Sequence, residues 1–183
     1  MKNKKILWNS KVTVVFVFLF MLCNISAASN NDNDLEAEYY RQAGHPATTA
    51  AMFKKLSQHH DAGIRKRVAS NRKTPKNILL KLATDIDQSV KISVATNLSS
   101  PELVYPILAR DSQKAVRSVV ARFEYVPVIA LDILSKDSDV EIRAEVARNL
   151  NTTKEILTRL SHDSDNSIRA IAEQALQRLL DDQ

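Results

Sequence analysis

Four aspartates recur at a spacing that suits ion pairing. Asp85, Asp111, Asp137 and Asp163 each precede a basic residue by six positions: Lys91, Arg117, Arg143 and Arg169. A carboxylate and a guanidinium can form paired, charge-assisted hydrogen bonds. Such columns read in two ways. One is a charged track facing a ligand. The other is a ladder, in which each Asp caps a helix and bonds the Arg or Lys of its own or an adjacent unit. The ladder is the stronger expectation, because a site seldom recurs identically in every repeat.

The remaining reactive side chains are sparse. The histidines are His45, His59, His60 and His162. His59-His60 with His45 form a conceivable metal set. Neighbouring side chains on a helix point about 100° apart, however, and make a poor pair without further ligands. There is no glycine-rich phosphate loop, nucleophile elbow or metal-binding Cys pair. The acids fall mainly in turn columns, which does not suggest a catalytic dyad. The expectation is a non-enzymatic chain with no cofactor and no metal.

Charge is distributed unevenly. Residues 54–81 hold Lys54, Lys55, Arg65, Lys66, Arg67, Arg72, Lys73, Lys76 and Lys81 against Asp61 alone, a net of +8. Read blandly, this is a solvated face. Read functionally, it is a patch facing an anion or a partner, carried by Lys54, Lys55, Lys66, Arg67, Arg72, Lys73 and Lys76. Few aromatics interleave it, so base stacking, and with it nucleic acid, is not expected. A second irregularity is Phe123-Glu124-Tyr125-Val126, which stands where other units have Asn-Leu-Ser-Ser or Asn-Leu-Asn-Thr. Phe123 and Tyr125 either contact a partner from a loop, or Phe123 folds inward into the space vacated by a residue such as Leu98.

The elements that position these residues follow from one period. Ile64-Arg65-Lys66-Arg67-Val68 has counterparts beginning at Val90, Val116, Ile142 and Ile168, each step 26 residues. A fixed period of this size marks a stacked repeat protein. Five units run over 49–74, 75–100, 101–126, 127–152 and 153–178. Each reads as two short helices. Ser or Thr precedes the first helix at Thr74-Pro75, Ser100-Pro101 and Thr152-Thr153, and proline suits a first helical position. Apolar residues such as Ile78, Leu79 and Leu82 then form one buried stripe, matched in the first unit by Met52, Phe53 and Leu56. Ala69, Ala95, Ala121 and Ala147 let second helices approach closely. Asn71, Asn97 and Asn149 are expected to close helix ends in the left-handed conformation. No strand alternation is visible, so the fold class is all-α: a right-handed α-solenoid of five 26-residue two-helix repeats.

The N-terminus reads as a secretory signal over residues 1–28. Lys2, Lys4, Lys5 and Lys11 are followed by an apolar run from Val12 to Leu22 and by Ser26-Ala27-Ala28 before the expected cut. Eleven apolar residues are too few to span a bilayer of roughly 30 Å, so no transmembrane span is expected in the mature protein. Cys23, the sole cysteine, follows a bulky Leu22 and falls inside the discarded segment. Removing the four lysines of residues 1–28 leaves 22 basic residues against 21 acidic ones. The sequence pI of about 9.3 therefore belongs mostly to the signal. Export without disulfides suits a bacterial periplasmic or secreted protein. Residues 29–48 read as a polar lead-in followed by a helical turn or two over Leu35–Arg41, a degenerate cap. Residues 179–183 read as a tail.

The last unit, from Thr153 to Ala172, resembles a HEAT repeat, with an Asp in the inter-helix turn and an Arg early in the second helix. The short period, with Val-Ala-x-Asn closing one unit and Ser-Pro-Glu-Leu opening another, is similar to the bacterial leucine-rich repeat variant family. The resemblance covers about 130 of 155 mature residues. It implies a curved stack of short helices, and says almost nothing of function. Members of the variant family can carry an iron–sulfur module. The mature chain lacks the cysteines for one. The expected role is a protein-binding scaffold of the bacterial envelope. The alternative is a peripheral binder of anionic lipid or envelope polymer through residues 54–81.

Overall fold

The computed structural model describes residues 33–181. The chain divides into two compact units, Met1–Arg41 and Gln42–Gln183. The expected signal segment and Cys23 lie outside the described residues. Among the described residues every regular element is a helix and none is a strand. No helix there is long and apolar enough to cross a membrane. Helix α1 covers residues 33–44. Ten more follow: α2 (Ala50–Leu56), α3 (Ala62–Ser70), α4 (Lys76–Leu82), α5 (Gln88–Thr96), α6 (Val104–Leu108), α7 (Lys114–Arg122), α8 (Val128–Leu134), α9 (Val140–Arg148), α10 (Lys154–Leu160) and α11 (Asn166–Asp181).

Local chemistry explains the boundaries. Thr49 and Thr153 hydroxyls accept the N–H groups of Met52 and Ile156 at the start of α2 and α10. Asp61, Asp87 and Asp139 do the same for α3, α5 and α9, satisfying otherwise orphaned donors. Pro75 stands at the cap position of α4, one residue earlier than expected, Pro101 lies three residues ahead of α6, and Pro127 takes the cap position of α8. Helices of seven and nine residues are too short to persist alone in water. They are held by packing. α3 lies against α5, α5 against α7, α7 against α9 and α9 against α11, while α6 touches α8.

The core is the sequence pattern made solid. Ile64, Val90, Val116, Ile142 and Ile168 are all buried. The alanines at 69, 95, 121 and 147 are fully buried, which lets adjacent second helices pack closely. The first-helix stripes are buried as expected, except that Met52 is only half-buried. Burying one Leu-sized side chain stabilises by roughly 1.5–3 kcal/mol, so each helix depends on its neighbours for its standing.

Several expectations need correction. Helix α1 is longer than the turn or two expected and already includes residues 33 and 34, inside the segment read as a polar lead-in. At the other end α11 runs on to Asp181, through the boundary placed at Arg178 and into the expected tail. Position 175, where the period calls for Asn, is Ala175. Alanine and the Leu-Gln-Arg-Leu-Leu that follows favour continued helix over a turn. The asparagines are not left-handed either. Asn71, Asn97 and Asn149 have φ of −77°, −79° and −68°, in extended conformation. His59 and His60 lie in the turn after α2 rather than on a helix, with ring centroids 4.4 Å apart.

Candidate interaction surface

The ion-pair columns form a ladder between units. Arg65 Nε lies 2.8 Å from Asp85. Lys91 Nζ lies 2.5 Å from Asp111. Arg117 and Arg143 each place Nε 2.7 Å from Asp137 and Asp163. Each pair spans 20 residues, so the cation bonds the next unit's Asp. The guanidinium's remaining arm returns to its own unit. Arg117 Nη1 donates to the Asp111 carbonyl at 2.8 Å, and Arg143 Nη1 to the Asp137 carbonyl at 2.9 Å.

These aspartates do not cap the second helices themselves. Their carboxylates accept the N–H two residues on, at Asp87, Gln113, Asp139 and Asp165. The residue so held, an Asp in three units, then makes the cap. His59 fills the column in the first unit, its Nδ1 accepting the Asp61 N–H at 3.1 Å. The hydrogen bond from Arg143 holds the Asp163 carboxyl below the usual range. For Asp85, burial pushes upward, but Arg65 and the Asp87 N–H outweigh it and the net displacement is downward.

A second ladder was not legible beforehand. Asn97 Nδ2 donates to the carbonyls of Ala69 and Asn71 at 2.7 and 3.1 Å, while its Oδ1 accepts from Ser99 N–H. Asn149 treats Ala121, Phe123 and Asn151 in the same way. Asn71 bonds Ala43, His45 and Lys73. The hydroxyls of Thr74, Ser100 and Thr152 close the same turns by donating to Val68, Val94 and Val146 carbonyls.

Phe123 breaks this ladder, because it occupies the asparagine position. It does not take the place of a Leu98-like residue, since Leu98 itself is exposed. The Phe123 ring is half-buried and stacks on buried Tyr105, centroids 5.8 Å apart, and meets Tyr125 edge-on at 5.9 Å. Burial pushes the Tyr105 phenol up from its ordinary value. Tyr125 is 62% exposed. Of the two expected contact residues, Phe123 packs on Tyr105 and Tyr125 is presented outward.

The basic cluster is dispersed over several elements. Lys54 and Lys55 lie on α2, Lys76 and Lys81 on α4, Lys66 and Arg67 on α3, and Arg72 and Lys73 on the loop between α3 and α4. All are exposed. Only Arg65 is withdrawn, into the ladder. Among the described residues Lys54, Lys66, Arg72, Lys73, Lys76 and Lys81 have no carboxylate partner. Lys54 and Lys81 line one groove between α2 and α4, with Ala51, Pro75 and Asn77 along its floor and rim. Lys66 and Arg67 stand on α3 and do not line this groove.

The first helices change character in the third and fourth units. Leu103 is 68% exposed and Ile129, one period later, 60%. Ile107 and Ile133, also one period apart, are partly exposed. Val128 and Tyr125 adjoin them and are exposed too. At the matching positions the second unit has Asn77 and Lys81, and the fifth has Glu155 and Arg159. An apolar area on two adjacent units, polar on either side, is the kind of surface that marks an interaction site. The signal was present in the sequence as a column comparison, but it sat outside the buried stripe that defines each helix.

The chain matches no family model, curated protein or solved structure.

Proposed function

We propose that the helical pairs form an α-solenoid of HEAT-like units acting as a non-enzymatic, protein-binding scaffold exported to the bacterial envelope. The observation that carries this reading is the exposed apolar area of Leu103, Ile107, Val128 and Ile129. These residues replace the polar ones that the flanking units carry at the same positions. Water-exposed apolar side chains confined to one place favour a protein partner. The two polar ladders join successive units and so support a rigid platform for them. The test is a pull-down of the tagged protein from its own envelope, beside Leu103→Asp with Ile129→Asp. A partner retained by the wild type and lost by the variant supports the scaffold. Unchanged capture overturns it.

A second reading has its own observation. The cations without carboxylate partners from Lys54 to Lys81 would suit anionic lipid or envelope polymer. Charge-driven binding of this kind should collapse between low and physiological ionic strength. Sedimentation with anionic vesicles across a salt series, repeated with Lys66→Glu and Arg67→Glu, decides it. Binding that ignores both salt and the substitutions removes this reading.

A further inference from the structure

We propose that the first-helix face of the first four units docks one helical segment of a partner protein, acidic at one end and apolar over its next turns. This rests on the scaffold reading above and adds the chemistry of the partner.

Two zones follow one another in sequence on the first helices of the units. The groove between α2 and α4 presents Lys54 and Lys81, with Lys76 beside it. α6 and α8, which touch each other, then present Leu103, Ile107, Ile129 and Ile133. Lys81, Ile107 and Ile133 occupy one position of the repeat, and Asn77, Leu103 and Ile129 another. A ligand laid across these helices in sequence order would meet cations first and apolar side chains next.

Spacing favours a helix. Packed helices lie about 8–10 Å apart. A helix rises about 1.5 Å per residue, so it covers about five to seven residues per unit crossed, close to two turns at the wider spacing. Side chains seven apart share one face, and an amphipathic helix in a groove uses that recurrence. The lysines select carboxylates at one end. The apolar pairs select Leu- or Ile-like anchors further on.

Charge around the apolar zone favours protein over lipid. Glu102 and Glu124 are exposed beside Leu103 and Tyr125, and exposed Glu155 follows at the position of Ile129. Arg159, at the position of Ile133, is tied to Asp132 at 2.6 Å. A membrane-inserting face would place carboxylates of this kind against anionic headgroups. A protein segment can instead set its own polar groups opposite them.

The probe is a fluorescent designed helix of about 21 residues, with glutamates in its first third and leucines about seven apart thereafter. Its controls are a scrambled peptide of equal composition and vesicles of phosphatidylcholine with phosphatidylglycerol. The designed helix should bind the full chain and the scrambled one at least about tenfold more weakly. Lys76→Glu with Lys81→Glu should weaken binding about tenfold and flatten its salt dependence. Leu103→Asp with Ile129→Asp should weaken it about tenfold with less effect on that dependence. Leu103→Ser with Ile129→Ser repeats the apolar test if the aspartates disturb folding, as judged by the melting curve. Indifference to either pair, equal binding of the scrambled peptide, or vesicle binding lost through the same substitutions would overturn the proposal. If the designed helix fails while Leu103→Asp with Ile129→Asp still releases the envelope partner, the scaffold stands and only this partner class falls.

Discussion

Asn97 reaches back 28 residues to place its amide nitrogen 2.7 Å from the carbonyl of Ala69. That bond ties the end of one second helix to the end of the previous one. The side chain is almost fully buried, and both of its polar atoms are occupied. Asn97→Ala should therefore cost about 2–3 kcal/mol, since two carbonyls and one N–H lose a partner. Asn97→Asp should cost more, because it keeps an acceptor but points a charge at two carbonyls. Urea unfolding of the three proteins checks both the size and the order.

The cation ladder behaves differently under deletion and replacement. Arg117 and Asp137 are largely buried, at 15% and 7% side-chain exposure. Arg117→Ala strands the carboxylate and is expected to cost about 3 kcal/mol. Arg117→Met combined with Asp137→Leu removes both charges and should recover much of that loss. A double-mutant cycle by thermal melting measures the difference. If the double variant is no better than the single one, the ladder's value lies in its backbone bonds and not in the ion pair.

Acid should loosen the stack through the same residues. The Arg143 hydrogen bond lowers the Asp163 carboxyl, the Ser89 hydroxyl lowers Asp87, and Asp85 ends lower despite burial. A carboxyl lower in the folded state than in the unfolded chain stabilises fully above its unfolded value of about 3.9. That contribution fades as pH falls through the folded value. Melting temperature should hold steady from neutrality toward about pH 5, so far as these groups govern it, and drop below about pH 4. Arg143→Ala should make the acid drop shallower while lowering stability at neutral pH. A steeper drop in the variant would contradict the assignment.

The third unit offers a reversal test. Phe123→Asn would restore donors to the carbonyls of Ala95 and Asn97, the period's counterparts of Ala69 and Asn71. It would give up the stacking on Tyr105, an aromatic contact of about 0.5–1.5 kcal/mol beyond its buried area. The regained bonds are worth about 1 kcal/mol each. Stability should therefore change by no more than about 1 kcal/mol. A loss of several times that, read by denaturant titration, would mean the aromatic cluster holds this junction alone.

The sequence by itself determined the helical class, the period, and which side chains meet in the core. A 26-residue recurrence of apolar residues dictates burial at Val90 and Val94 whatever the partners are, because burial responds to type and spacing alone. It also signalled the Asp and Arg columns and the basic run, though not their wiring. Tertiary structure decided that Arg65 answers Asp85 of the next unit, that Asn97 bonds the unit before it, and that Lys81 lines a groove from which Lys66 is absent. Hydrogen bonds are directional and short, so a partner 20 or 28 residues away is fixed only when two units are set side by side. The apolar area at Leu103 and Ile129 belongs to the same class. Leu103 is an ordinary exposed side chain at the cap of α6 and Ile129 one on α8, and only the contact of α6 with α8 joins them into one surface.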